Sequence, residues 1–214
     1  MGLTGIANRF LAALALIVVA TPGALAESYV EIRDPLRGVT FYSVQLSTDT
    51  IRELSTSEDF FGDMDEQVTL GLSAFYFDES ERIDEFVMWL RHDGGSRWFS
   101  GPEQTPMSLS IDDGFETLPQ LHALPTKPRA DGARLVEKLE FTVSPKVFAE
   151  MKRAERVVVE LSTLMGAVSK SLTLDEIAYL QRFEQRISSS HDAIKKVASD
   201  AGVELTAVPI HADR

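Results

Sequence analysis

Apolar and polar positions alternate with a period of two through most of the chain up to residue 143, and helical spacing takes over only near Ser144. Val39 to Leu46 (Val-Thr-Phe-Tyr-Ser-Val-Gln-Leu) is rich in β-branched and aromatic residues and predicts a strand. In Val68 to Phe77 the residues Val68, Leu70, Leu72 and Ala74 share one face, while Phe75 and Phe77 point to the other. Phe86 to Arg91 predicts a further strand, with either Phe86, Met88 and Leu90 or their out-of-phase neighbours Val87 and Trp89 in the core. Asp93-Gly94-Gly95 then reads as a hairpin turn into Arg97-Trp98-Phe99, because glycine supplies the positive φ such a turn needs. Met107, Leu109 and Ile111 alternate with two serines before Asp113-Gly114 turns the chain into Phe115–Leu118. Pro119, Pro125 and Pro128 interrupt the ladder, since proline has no donor to give a central strand. Leu135 to Val143 resumes it.

Three stretches depart from this period. Thr48 to Glu66 is polar and acidic and predicts a loop with a helical turn around Thr50–Leu54. Ser144 as N-cap and Pro145 at the first helical position predict a short helix that turns Val147, Phe148, Met151 and Ala154 to one side. After a hairpin of Val157–Leu164 and Val168–Leu172, Thr173 and Glu176 form a capping box, and Leu172 can staple onto Ile177. The helix that follows carries Ile177, Leu180, Ile187, Ile194 and Ala201 near one stripe, with Phe183 and Val197 beside it. Ser188-Ser189-Ser190 weakens its middle, so one long helix and two successive helices both fit.

Many strands, frequent turns and no strand–helix alternation predict an α+β fold. It is a predominantly antiparallel β-sheet, sandwich or half-barrel, with two or three helices mainly in the C-terminal half. Residues 27–188 form the expected β-rich domain, and 189–214 a helical appendage and tail. Residues 1–26 stand apart. Arg9 is the only charge before Glu27, Phe10 to Ala20 is an unbroken apolar run, and Ala24-Leu25-Ala26 is a small-x-small cleavage site. These are the parts of a secretory signal peptide. The apolar run is shorter than the roughly 20 residues a membrane span needs, so no transmembrane segment is expected after cleavage.

Composition narrows the function classes. The chain has no cysteine, which removes disulfides and thiol chemistry from an exported protein. Its formal charge is −12, and cleavage removes Arg9 and no acid. That excess repels polyanions, so nucleic acid is not an expected partner.

The candidate chemistry is sparse. His92, His122, His191 and His211 stand in no H-x-H, H-E-x-x-H or H-x-x-E-H arrangement, and His92, beside Asp93 at the expected hairpin tip, reads as a solvated turn residue. No G-x-S-x-G, S-x-x-K or nucleotide-binding glycine motif occurs. A Ser/His/Asp site assembled by the fold stays open, because such triads are recognised by geometry. The pairs Asp63/Asp65, Asp84/Glu85 and Asp112/Asp113 offer the two carboxylates of glycoside hydrolysis, yet with 33 acids in the chain neighbouring pairs carry no signal. Asp59 to Glu66 has the oxygens for Ca²⁺ but not the EF-hand spacing, and reads as a solvated acidic loop holding Phe60-Phe61. Trp89 and Trp98 are expected in core packing; exposed, either would suit a sugar or peptide. No catalytic, cofactor-binding or metal residue is assigned, and no cofactor.

The resulting expectation is an exported, periplasmic or secreted, non-catalytic envelope protein that binds a protein partner or an envelope component. The alternative is a hydrolase acting on envelope material through carboxylates or an assembled Ser/His/Asp site. Residues 190–210 are expected to dock on a partner or a second copy of the chain.

Overall fold

A computed structural model describes residues 17–18, 29–34, 38–56, 63, 65–77, 83, 85–94, 107–121 and 135–200, the first two and the last eight of these by backbone alone. The architecture is α+β and predominantly antiparallel. One sheet holds six strands in the order β1 (Ile17–Val18), β2 (Tyr29–Asp34), β3 (Val39–Thr50), β4 (Gln67–Phe77), β5 (Glu85–Gly94) and β8 (Leu135–Val143). The second holds four, in the order β10 (Gly166–Ser171), β9 (Val157–Thr163), β6 (Met107–Ile111) and β7 (Gly114–Leu118). The helices are α1 (Ile51–Leu54), α2 (Pro145–Met151) and α3 (Leu174–Asp200).

Backbone hydrogen bonds join the two sheets at two places. Beyond β7, Leu121 N–H donates to the Glu140 carbonyl at 2.7 Å and Thr142 N–H to the Pro119 carbonyl at 3.1 Å, which joins this segment to β8. Beyond α1, Thr56 N–H donates to the Ala167 carbonyl at 3.1 Å, which ties the segment after α1 to β10. The sandwich thus has one irregular seam along β8 and one tie at β10, with β2 outside both.

Register explains the core. Leu70, Leu90 and Leu139 stand side by side on β4, β5 and β8, followed by Leu72, Met88 and Phe141, then Ala74, Phe86 and Val143. All nine are buried and face inward. At one end this inner face packs on Leu109, Val157, Val159 and Leu161 of the smaller sheet, and at the other on α2 and α3, where Phe148 stacks on Phe86 with centroids 3.9 Å apart and Phe183 meets Tyr29 edge-on.

The local chemistry read from the sequence operates here. Ser144 Oγ accepts from Val147 N–H at 3.2 Å, and Thr173 and Glu176 exchange both capping bonds, at 2.6 and 3.2 Å. α3 is continuous across the triple serine, where Ser188 and Ser189 donate their hydroxyls to the carbonyls of Glu184 and Gln185. Its course crosses the expected boundary at 188. Ser190 donates to Glu31 at 3.0 Å and the His191 ring stacks on Tyr76 at 3.7 Å, so these two residues pack on the main sheet. Most of the segment 190–210 expected to meet a partner lies outside the residues whose side chains are described.

Two expectations are corrected. Both edges of β5 are taken, by β4 and β8, out to Asp93, so no hairpin forms from β5 across Gly94-Gly95. Gly94 serves a different purpose: a Cβ there would lie 2.3 Å from His92 Nε2 and 2.5 Å from Glu66 Oε2. His92 is accordingly not a solvated turn residue but fully buried.

Candidate binding surface

An antiparallel sheet with one face on the core normally turns polar side chains outward. The outer face of the six-stranded sheet follows this rule at Thr69, Arg91, Lys138 and Glu140 and departs from it toward β2 and β3. Ile32, Phe41 and Phe75 form one outward row across β2, β3 and β4, and the Phe41 and Phe75 rings lie 5.2 Å apart. The next row runs Val30, Ser43, Ser73, Val87 and Thr142. Phe77 extends the apolar surface and is 37% exposed. Among the described elements, α2, α3 and the smaller sheet all pack on the opposite, inner face.

Trp89 is the fixed point of this surface. Its partner across β4 is Gly71, and a Cβ on Gly71 would fall 2.0 Å from the indole ring. The ring therefore lies flat on the backbone, a position only glycine permits. Indole Nε1–H donates to Ser43 Oγ at 3.2 Å, and Ser73 Oγ donates to the same oxygen at 3.0 Å. Lys138 Nζ stands 5.4 Å from the ring centroid while paired to Glu140 at 2.6 Å. The indole is thus pinned at its edge, with the Gly71 backbone against the ring and the Lys138 ammonium over it.

Other residues considered for chemistry fall elsewhere. Glu66, His92 and Glu137 converge on the inner face: Glu66 Oε2 and His92 Nε2 share a hydrogen bond of 2.6 Å, and Glu137 is the register partner of His92 on β8. All three are buried. The parity of β5 carries the signal for this cluster, since Phe86, Met88 and Leu90 extended by one step reach His92, and Val143, Phe141 and Leu139 lead likewise to Glu137. The Asp59–Glu66 loop is therefore not solvated at its last residue. Asp63 and Asp65 join through a 3.1 Å bond from the Asp65 N–H, and Arg52 approaches Asp65 at 3.6 Å. Asp112 acts on the backbone: its Oδ1 accepts from Glu155 N–H and Arg156 N–H, both at 2.9 Å. His122, His211, Trp98, Phe60, Phe61, Asp59 and Asp84 lie outside the described residues.

Among the described residues no group of three or more His, Asp or Glu has the geometry to hold a metal ion, and no helix is long and apolar enough to cross a membrane. Compared with protein-family models, curated proteins and solved structures, the chain matches none.

Proposed function

We propose that the protein is exported with loss of residues 1–26 and serves as a non-catalytic binding protein of the cell envelope, engaging a protein partner or an envelope component. The outer face of its larger sheet makes the contact. The observation that carries this reading is the outward row Ile32–Phe41–Phe75 beside a Trp89 ring held flat on Gly71. Ile32, Phe41, Phe75 and Trp89 are half-buried there and Phe77 is exposed, and apolar groups kept together at a surface suit a recognition role. Removal of the leader would also take away β1, leaving β2 as the edge of the sheet. The hydrolase alternative gains less support, because His92, bonded to the Glu66 carboxylate, is fully buried.

A photocrosslinking side chain placed at Phe75 in the native host tests the surface, with Phe115, 66% exposed on β7, as the control position. Specific adducts at 75 and none at 115 are expected. Equal adducts at both positions, or none at 75, would overturn the assignment. Glu27 should be the N-terminus of the protein recovered from its host, by mass spectrometry.

A further inference from the structure

On the inner side of the same sheet, away from the outer aromatic face, a pocket of about 310 Å³ opens where β4, β5, α2 and α3 converge. Its floor is made of two aromatic pairs, Tyr76 on His191 with centroids 3.7 Å apart and Phe86 on Phe148 at 3.9 Å. Its rim carries the carboxylates of Glu184 and Asp192, both supplied by α3. This size lies at the lower end of the roughly 300–1,000 Å³ range of small-molecule pockets, so it suits an occupant no larger than a long side chain.

We propose that this pocket binds an organic cation of side-chain size, an ammonium or guanidinium group on a short apolar stem. The molecule already demonstrates the chemistry with a group of its own. The Lys152 ammonium pairs closely with Glu184 and stands 5.7 Å from the Phe148 ring, so carboxylate and aromatic face hold a cation together at this wall. That leaves Asp192, exposed at the rim and in no ion pair with a described residue, to receive a second one. Aromatic walls cannot replace the water shell of a small inorganic cation, whereas they favour a weakly hydrated alkylammonium or guanidinium. An anion would meet the Asp192 carboxylate and a chain of formal charge −12. A neutral alkyl group would fill the floor but leave the rim charge unused.

The test is NMR titration of the full chain, following the Ile83 methyl group at the rim and the His191 ring in the floor, with n-butylammonium, n-butanol and n-butyrate as probes. Butylammonium should shift both signals saturably and bind about tenfold more tightly than butanol. Asp192→Lys, a change at an exposed position, should abolish that preference while leaving the thermal midpoint unaltered. Equal binding of butanol and butylammonium, or a preference that survives Asp192→Lys, would overturn the cation assignment. Silence with all three probes would overturn the pocket itself, and neither result bears on the outer face. A lysine-containing tripeptide with blocked termini separates the sources of the cation. Tighter binding than butylammonium assigns the pocket to a partner protein's side chain, and weaker binding assigns it to a free amine.

Discussion

A few side chains in this protein do work that their neighbours cannot take over. Asp112 has a positive φ of 49° in the β6–β7 turn, and its carboxylate caps two backbone N–H groups of the α2–β9 connection. Asparagine tolerates both the conformation and the capping role, so Asp112→Asn should stay close to wild type. Asp112→Gly keeps the turn and loses the cap, at about 1–3 kcal/mol, and Asp112→Ala should lose more, because it adds backbone strain. Urea unfolding of the three variants orders them. His92 poses a sharper case. Replacing it by leucine removes the 2.6 Å hydrogen-bond partner of the buried Glu66 side chain, and losing such a buried bond costs about 1–3 kcal/mol. Glu66→Gln, which still offers a hydrogen bond, should cost clearly less in the same measurement.

At the scale of elements, most strands announce themselves because one face of each is buried and the period of two survives in the sequence. β4 to β10 follow the expected runs, β3 continues past Leu46 to Thr50 into the stretch expected as a loop, and the capping signals of Ser144 and of Thr173 with Glu176 place α2 and α3 where they form. β2 escaped notice for a physical reason. Its inward positions are Tyr29, Glu31 and Arg33, two of them charged, so the usual pattern is inverted; Ser190 bonds Glu31, and the Arg186 guanidinium lies 3.7 Å from the Tyr29 ring centroid. Those compensating contacts come from a helix over 150 residues away in sequence, and local patterning cannot register them. The same limit hid the outer face, since Phe75 and Phe77 were legible as outward residues but not their alignment with Ile32 and Phe41. The binding pocket was equally illegible: His191 and Tyr76 come together only when α3 docks. A chain stopped after Ser188 loses the bond to Glu31 and the stack on Tyr76 together, and should be about 1–3 kcal/mol less stable to urea than the full chain.

For the molecule as a whole, Lys170 ties three regions together. Its ammonium bonds Asp49 near the end of β3 at 3.0 Å and reaches Glu176 in the first turn of α3 at 3.3 Å, while Lys170 itself sits on β10. Burial opposes its charge, but the Asp49 bond and the two carboxylates outweigh that effect and raise its pKa above the ordinary lysine value. A raised pKa means stability that is complete below about pH 10 and is lost as pH climbs through the folded-state value. The Tyr29 and Tyr42 phenols, pushed up chiefly by burial and then by Glu31, act in the same direction. Lys170→Met should therefore melt earlier than wild type at neutral pH, with the gap closing as pH rises through about 10–12, because both proteins keep the tyrosine contribution. A gap that stays constant across that range would show that Lys170 acts through packing alone.

The two joins between the sheets give this sandwich a direction of weakness. Within each sheet, neighbouring strands share long ladders, such as the nine register pairs of β5 with β8. The sheets themselves are laced together by the Leu121–Glu140 and Thr142–Pro119 bonds on one side and by Thr56–Ala167 on the other. Under mechanical load the protein should part there first, opening like a book along its bindings while each leaf stays flat.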